Sequence, residues 1–201
     1  MSTDGFAFLR QYFEGMVTLG QRLHRPEGFI FPTHDEAIFH HGAPCPADPF
    51  TDEEREILCA LFWRLPFMPK VKQCFFNATR LVDVAQGRGL PIEYAEGKCL
   101  AFIPIDHAWA SLHGKPIDVT LRPIEEGNAR SAKRMLARVE RNLQERAYWG
   151  YTVPHGARWA HLARNRRYCP VIEDPEGGWP LLKSRTLPWR EPAMAVGEAG
   201  K

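Results

Sequence analysis

Lys72-Gln73-Cys74-Phe75-Phe76-Asn77, Ile105-Asp106-His107-Ala108-Trp109 and Ile117-Asp118-Val119-Thr120 belong to one stretch, residues 72–120, whose reading decides the fold. The first piece opens a helix. Ala78, Leu81, Val82 and Ala85 follow at helical spacing, and Gly87 and Gly89 mark its end. Beyond Gly89 the period falls to two. Pro91 to Glu96, Cys99 to Ile105, Ala108 to Leu112 and Pro116 to Val119 read as strands. Glu96-Gly97-Lys98 and His113-Gly114 read as the hairpin turns between them. A helix followed by a run of hairpin-linked strands predicts an α+β fold, with the cysteine helix packed on an antiparallel sheet.

Further helices flank this core on both sides. Leu9, Tyr12, Phe13, Met16, Leu19 and Leu23 predict an N-terminal helix, and residues 25–50, rich in Pro, Gly and His, an ordered loop. Thr51 with Glu54 forms a capping box for a second helix, whose apolar face runs from Ile57 to Leu65 and which Pro66 ends. Ala132, Met135, Leu136, Val139 and Leu143 predict a helix over 129–146. Tyr148 to Val153 follows as a strand and His155 to Arg164 as a short last helix. The organisation is one domain over 1–173, with a helical region 1–66, a core 67–122 and a C-terminal part 123–173. From Asp174 the Pro- and Gly-rich chain predicts a loose tail to residue 201.

The 44% hydrophobic and 25% charged fractions are those of a globular protein, and 201 residues suffice for one substantial core. No run approaches the roughly 18 apolar residues that would cross a bilayer. Met1 to Gly5 lacks the charged and apolar regions of a signal peptide, so the expected location is cytoplasmic and no membrane partner is expected. Five scattered cysteines without a C-x-x-C pair indicate neither a disulfide framework nor a zinc knuckle. The charge is uneven: −6 over residues 1–60, +1 over 61–128 and +7 over 129–201, for a net +2.

The chemistry lies in the order of Cys74, His107 and Asp118. A helix start offers a thiolate partial positive charge and free N–H groups. A thiol needs a base to ionise it, and the base needs an acceptor to fix its tautomer. Each residue also has a plain structural reading. Cys74 would be a small buried hydrophobe, His107 a strand histidine bonded to backbone, and Asp118 a turn cap. A hairpin centred on Leu112 to Lys115 sets the latter two on neighbouring strands, and that placement favours the catalytic reading.

The ordered trio resembles the core of the transglutaminase-like superfamily within the papain-like fold. His107-Ala108-Trp109 is similar to that family's histidine motif and Asp118-Val119-Thr120 to its Asp-Pro-Thr motif. Gly89-Leu90-Pro91-Ile92-Glu93-Tyr94-Ala95-Glu96-Gly97 is similar to the segment leading into the histidine strand. The resemblance covers about residues 70–122. It departs at Phe75, where the family often has Trp. It implies a papain-like core, with Cys74 as nucleophile, His107 as general base and acid, and Asp118 orienting the imidazole. It departs again at the oxyanion donor, which in papain-like enzymes is a glutamine several residues before the cysteine; here Gln73, adjacent to Cys74, is the candidate donor with the Cys74 N–H, and Trp109 is a candidate substrate-side residue. The implied activity is thiol-dependent acyl transfer (peptidase, deamidase or transferase) on a peptide or protein-derived acyl substrate, with no cofactor and no metal.

The remaining features have plainer readings. His34, Asp35, Glu36, His40, His41 and Cys45 crowd one loop, but their spacing fits no metal motif and His40 and His41 are adjacent. Arg130, Arg134, Arg138 and Arg141 recur on one helix face, with Arg158, Arg164, Arg166 and Arg167 following. They give the alternative function: an inactive transglutaminase-like binding protein whose basic C-terminal face engages nucleic acid or an acidic protein.

Overall fold

Residues 3–121 and 131–189 are described by the computed structural model; Arg130 and the start of the expected 129–146 helix lie outside them. In chain order the elements are α1 (Thr3–Gly20), α2 (His34–His41), β1 (Ala43–Pro44), α3 (Asp52–Phe62), α4 (Cys74–Gln86), β2 (Glu93–Leu100), β3 (Pro104–Leu112), β4 (Lys115–Ile117), α5 (Ala132–Glu145), β5 (Ala147–Val153), α6 (His155–Asn165) and α7 (Pro180–Lys183). The strands form one antiparallel sheet in the order β1-β5-β2-β3-β4. The architecture is α+β, as the change of period predicts.

Alternation along the strands gives the sheet two unlike faces. On one, Tyr94, Ala108, Ala110, Trp149, Tyr151 and Val153 join the main core with Leu9 and Phe13 of α1 and Leu81, Val82 and Ala85 of α4. On the other lies a smaller cluster of Ala95, Cys99, Trp109 and Tyr148. His107 belongs to this second face, two residues before Trp109. Here Gly97 and Gly150 stand opposite each other in the β2–β5 ladder. A Cβ on Gly97 would sit 2.1 Å from the Trp149 carbonyl oxygen, and one on Gly150 2.6 Å from the Trp109 ring. Two glycines are therefore required where strands and indole press together.

This close approach corrects the expected turn at Glu96-Gly97-Lys98. Gly97 is inside one long strand, β2, and the β2–β3 turn falls at 101–103. Its glycine serves contact rather than reversal. The ordered loop expected over 25–50 contains α2, capped by Thr33, whose hydroxyl accepts from the Glu36 amide at 3.1 Å. Ala37 and Ile38 are its buried apolar side chains, a stripe too short to announce a helix. The Thr51 capping box is present, but α3 stops at Phe62, ahead of Pro66, as Arg64 takes a left-handed conformation.

The loose tail expected from Asp174 is also corrected as far as Trp189. Asp174, Leu181, Leu182 and Leu187 are buried. The Leu182 carbonyl accepts from the amides of Ile30 and Phe31 at 2.8 and 3.0 Å, and the Trp189 indole donates to the Thr152 carbonyl at 3.1 Å. The Pro and Gly residues shape turns between these anchors. Residues 190–201 lie outside the described residues.

Glu54 ties α3 to the sheet hairpin. Its carboxylate accepts from the Thr51 amide, the Lys115 ammonium at 2.7 Å and His113 at 3.1 Å. Burial opposes its charge, yet Lys115 and the two other donors hold its pKa at about 2. The charge therefore stabilises the fold above pH 4.5, and that stability drains away as pH falls towards 2. Glu54→Gln is expected to cost about 2 kcal/mol at pH 7. Urea unfolding at pH 7 and pH 3 checks it: the gap to wild type must narrow at the lower pH.

Candidate active site

The three elements expected to carry Cys74, His107 and Asp118 do bring them together. Cys74 is the first residue of α4, after a Gln73 N-cap position whose side chain makes no capping bond. Asn77, one turn on and fully buried, fixes the approach to it. Its side-chain oxygen accepts from the Lys70 amide at 2.8 Å, and its nitrogen donates to the Lys70 carbonyl at 2.7 Å. The same nitrogen donates to Thr120 Oγ1 at 2.9 Å. One buried amide thus pins the loop before the cysteine to the segment after the aspartate.

Pairing of β3 with β4 runs only to Ala110 and Ile117. Asp118 comes one residue past β4, where the chain is released from the ladder and its side chain can meet the imidazole. His107 Nε2 stands 3.0 Å from Asp118 Oδ2. Tyr148 O–H donates to the same oxygen at 2.9 Å. Oδ1 accepts from the amides of Thr120 and Leu121 at 2.8 and 3.3 Å. The Asp118 carbonyl accepts from Asn142 of α5 at 2.9 Å. Four donors around one carboxylate in a site 1% exposed leave it little rotational freedom.

With Nε2 committed to Asp118, Nδ1 is the nitrogen available to Cys74, which is a hydrogen-bonding and charge partner of the same ring. Burial disfavours the imidazolium, but Asp118 and then Cys74 outweigh it and raise the His107 pKa to about 10. Burial likewise works against the Asp118 charge, and His107, the Thr120 amide and Tyr148 together hold its pKa below the ordinary value. At neutral pH the pair is therefore charged on both sides, with the cation beside the thiol. Burial pushes the Cys45 thiol up to about 12 and raises those of Cys99 and Cys169. Cys59 is exposed.

Trp109 is buried and its ring stacks beside the imidazole, centroids 6.2 Å apart at 22°. Tyr148 meets the indole edge-on at 5.2 Å. Trp109 thus sets the plane of the histidine ring. Gln73 is exposed. The residues that sequence reasoning missed are Asn77, Tyr148 and Asn142. Asn77 alone left a trace, as a polar residue in the apolar stripe of its helix. Tyr148 and Asn142 come from elements far along the chain.

The histidine-rich loop has structural partners. The rings of His40 and His41 pair through Nε2 with the Arg185 and Leu181 carbonyls at 2.8 and 2.9 Å. Asp35 accepts from Tyr12 and pairs with Lys98. The basic face loses two members. Arg158 is buried, stacked over Tyr94 at 4.6 Å and bonded to Thr79 and the Cys169 carbonyl. Arg164 pairs with buried Asp174. No described helix is long and apolar enough to cross a membrane. No protein-family model, curated protein or solved structure matches this chain.

Proposed function

We propose that this protein is a thiol-dependent acyl-transfer enzyme with a Cys74–His107–Asp118 triad, of the transglutaminase-like kind on a papain-like core. The observation that carries the reading is the imidazole shared between a half-buried thiol at a helix start and a carboxylate held by three further donors. The substrate is an amide, ester or thioester of a peptide or protein-derived acyl group.

In this reading the thiol proton resides on His107 Nδ1, and the thiolate attacks the carbonyl carbon. As the Sγ–acyl bond forms, the carbonyl electrons move to oxygen. The Cys74 N–H and the start of α4 face that developing charge. The tetrahedral centre collapses, the bond to the leaving group breaks, and His107 returns its proton to that group. Water or an amine then attacks the acyl-enzyme, gives a proton to Nδ1 and releases the product with the thiol restored. Asp118 stays ionised throughout and fixes the ring.

Iodoacetamide labelling across pH, read site by site by mass spectrometry, tests this. Cys74 is expected to label rapidly at pH 6, at least about 10-fold faster than exposed Cys59, because a neighbouring cation supports the thiolate. In His107→Gln the advantage disappears and labelling rises only towards pH 8–9, as for an ordinary thiol. Equal labelling of Cys74 and Cys59 in the wild type defeats the reading.

A further inference from the structure

Exposed apolar side chains gather around the entry to α4. Of the ten large ones that stand exposed among the described residues, five fall in two segments. Trp63, Met68 and Val71 belong to the loop before Cys74, and Trp159 and Tyr168 lie on and after α6. Each segment borders a hollow. One of about 660 Å³ is lined by Trp63 to Met68, and one of about 280 Å³ by residues that include Trp159, Arg166, Arg167 and Tyr168. Three rings join them into a band. Phe67 meets Phe76 edge-on at 6.4 Å, and Phe76 meets Tyr168 edge-on at 5.0 Å. Phe76 is two residues past Cys74, on the first turn of the same helix.

The band is held in place from behind. Arg88 donates to the carbonyls of Ala60, Leu61 and Arg64 at 2.6, 2.8 and 3.4 Å, and Asn77 fixes Lys70 at the other end of the loop. Beyond Tyr168, one oxygen of buried Glu96 accepts from the amides of Val171 and Ile172 at 2.7 and 3.2 Å. A surface fixed in advance loses little entropy on binding.

Its charge is of one sign. Arg64, Lys70, Lys72 and Arg166 have no carboxylate partner among the described residues. Arg80 and Arg167 have only loose ones, Asp83 and Glu173, each at 3.9 Å. Arg64, Lys72 and Arg166 also have left-handed backbones, with φ of 48°, 60° and 53°. Three positions that glycine would relax carry cations instead.

The composition selects the occupant. Trp, Tyr, Phe, Met and Arg are enriched where proteins bind proteins. A nucleic-acid base needs an open ring face to stack on. Here Arg64 lies over Trp63 at 5.8 Å, Arg80 over Phe67 at 6.0 Å and Lys70 over Phe76 at 5.0 Å. A flat bilayer would leave both hollows unfilled, and a second copy paired through the same face would set like charges together. An acidic polypeptide with apolar side chains matches the charge and fills the hollows.

We propose that this band docks the polypeptide that carries the acyl group, an acidic segment with interspersed apolar side chains. Neither hollow is lined by the thiol, so they hold the carrier chain and not the acyl group itself. The inference rests on Cys74 being the nucleophile.

The experiment titrates the intact protein against fluorescein-labelled peptides that intersperse Leu with Glu, with Lys or with Ser. Oligodeoxythymidine of the same length and vesicles of phosphatidylserine in phosphatidylcholine are run beside them. The Glu peptide is expected to bind at least about 10-fold tighter than the other two peptides, and to weaken as salt is added. At saturation it should slow iodoacetamide labelling of Cys74 at least about 5-fold, because access governs the rate. Arg64→Glu and Arg166→Glu, one in each hollow, should each weaken the Glu peptide about 5-fold or more and leave Cys74 labelling of the free protein within about 2-fold. Trp63→Ala, another exposed position, serves if either fails to fold. Equal affinity for the three peptides, tighter binding of oligodeoxythymidine or vesicles than of the Glu peptide, or binding that leaves Cys74 labelling unchanged overturns the inference and leaves the triad standing. Labelling that ignores His107 overturns the triad and with it the inference, whatever the peptides do.

Discussion

If the proposed triad acts, Cys74→Ala is expected to reduce ester hydrolysis by a factor of at least about 10³, and adding His107→Gln to it should remove nothing more. The size follows from what is lost: the atom that forms the covalent bond, leaving only the polarising surroundings. The absence of a further loss follows from the two residues acting as one unit, because a base without its nucleophile has nothing to deprotonate. Folding should survive. Cys74 is half-buried at a helix start, and the first turn is held by Asn77 through Lys70 and Thr120 rather than by the thiol. A stability change below about 1 kcal/mol is expected. His107→Gln suits the combination because its amide N–H can still serve Asp118. Rates with p-nitrophenyl acetate and urea curves on the three variants check this together. Turnover in folded Cys74→Ala above a tenth of wild type would remove Cys74 from the chemistry.

The trio is legible in the amino-acid sequence because each member sits where local rules are strong. Cys74 opens a helix with a clean apolar period, and His113-Gly114 is a tight turn that sets His107 and Asp118 eleven residues apart on either side of a hairpin. The residues that support them obey no local rule. Tyr148 reaches Asp118 because β5, formed near the end of the chain, inserts between β1 and β2. Glu96 reads as an ordinary polar residue of an alternating strand, and its partners are amides 75 and 76 residues away. Gly97 misled in the opposite sense. Glycine is ambiguous between reversal and close contact, and only the facing strand, with Gly150 and the Trp109 ring, decides between them. The tail after Asp174 misled through composition: its prolines and glycines hide the Leu181-Leu182 pair that fastens it.

Asp118→Asn should keep the fold and lose roughly 10³–10⁴ of kcat, a loss much larger than its near-identical shape suggests. The reason lies in the distribution of donors. Oδ1 accepts two backbone amides, from Thr120 and Leu121, which cannot rotate away. An asparagine must therefore keep its carbonyl oxygen on that side and turn its NH₂ towards His107 and Tyr148. Tyr148 can adapt, since its hydroxyl accepts as well as donates. His107 adapts only by making Nε2 the acceptor, which moves the ring proton to Nδ1. The nitrogen facing Cys74 then carries a hydrogen and cannot take one from the thiol. The neutral amide also withdraws the charge that holds the imidazolium, so its pKa must fall. Two readouts separate this from simple damage: histidine ring NMR should show the changed tautomer and an earlier loss of the imidazolium with rising pH, and KM should change far less than kcat. Asp118→Ala provides the contrast. It strips His107 and Tyr148 of their common acceptor in a site that water does not reach, and should cost about 3–5 kcal/mol of stability. An asparagine variant that is folded and retains a third of wild-type kcat would mean that the carboxylate holds the loop and does not govern the imidazole.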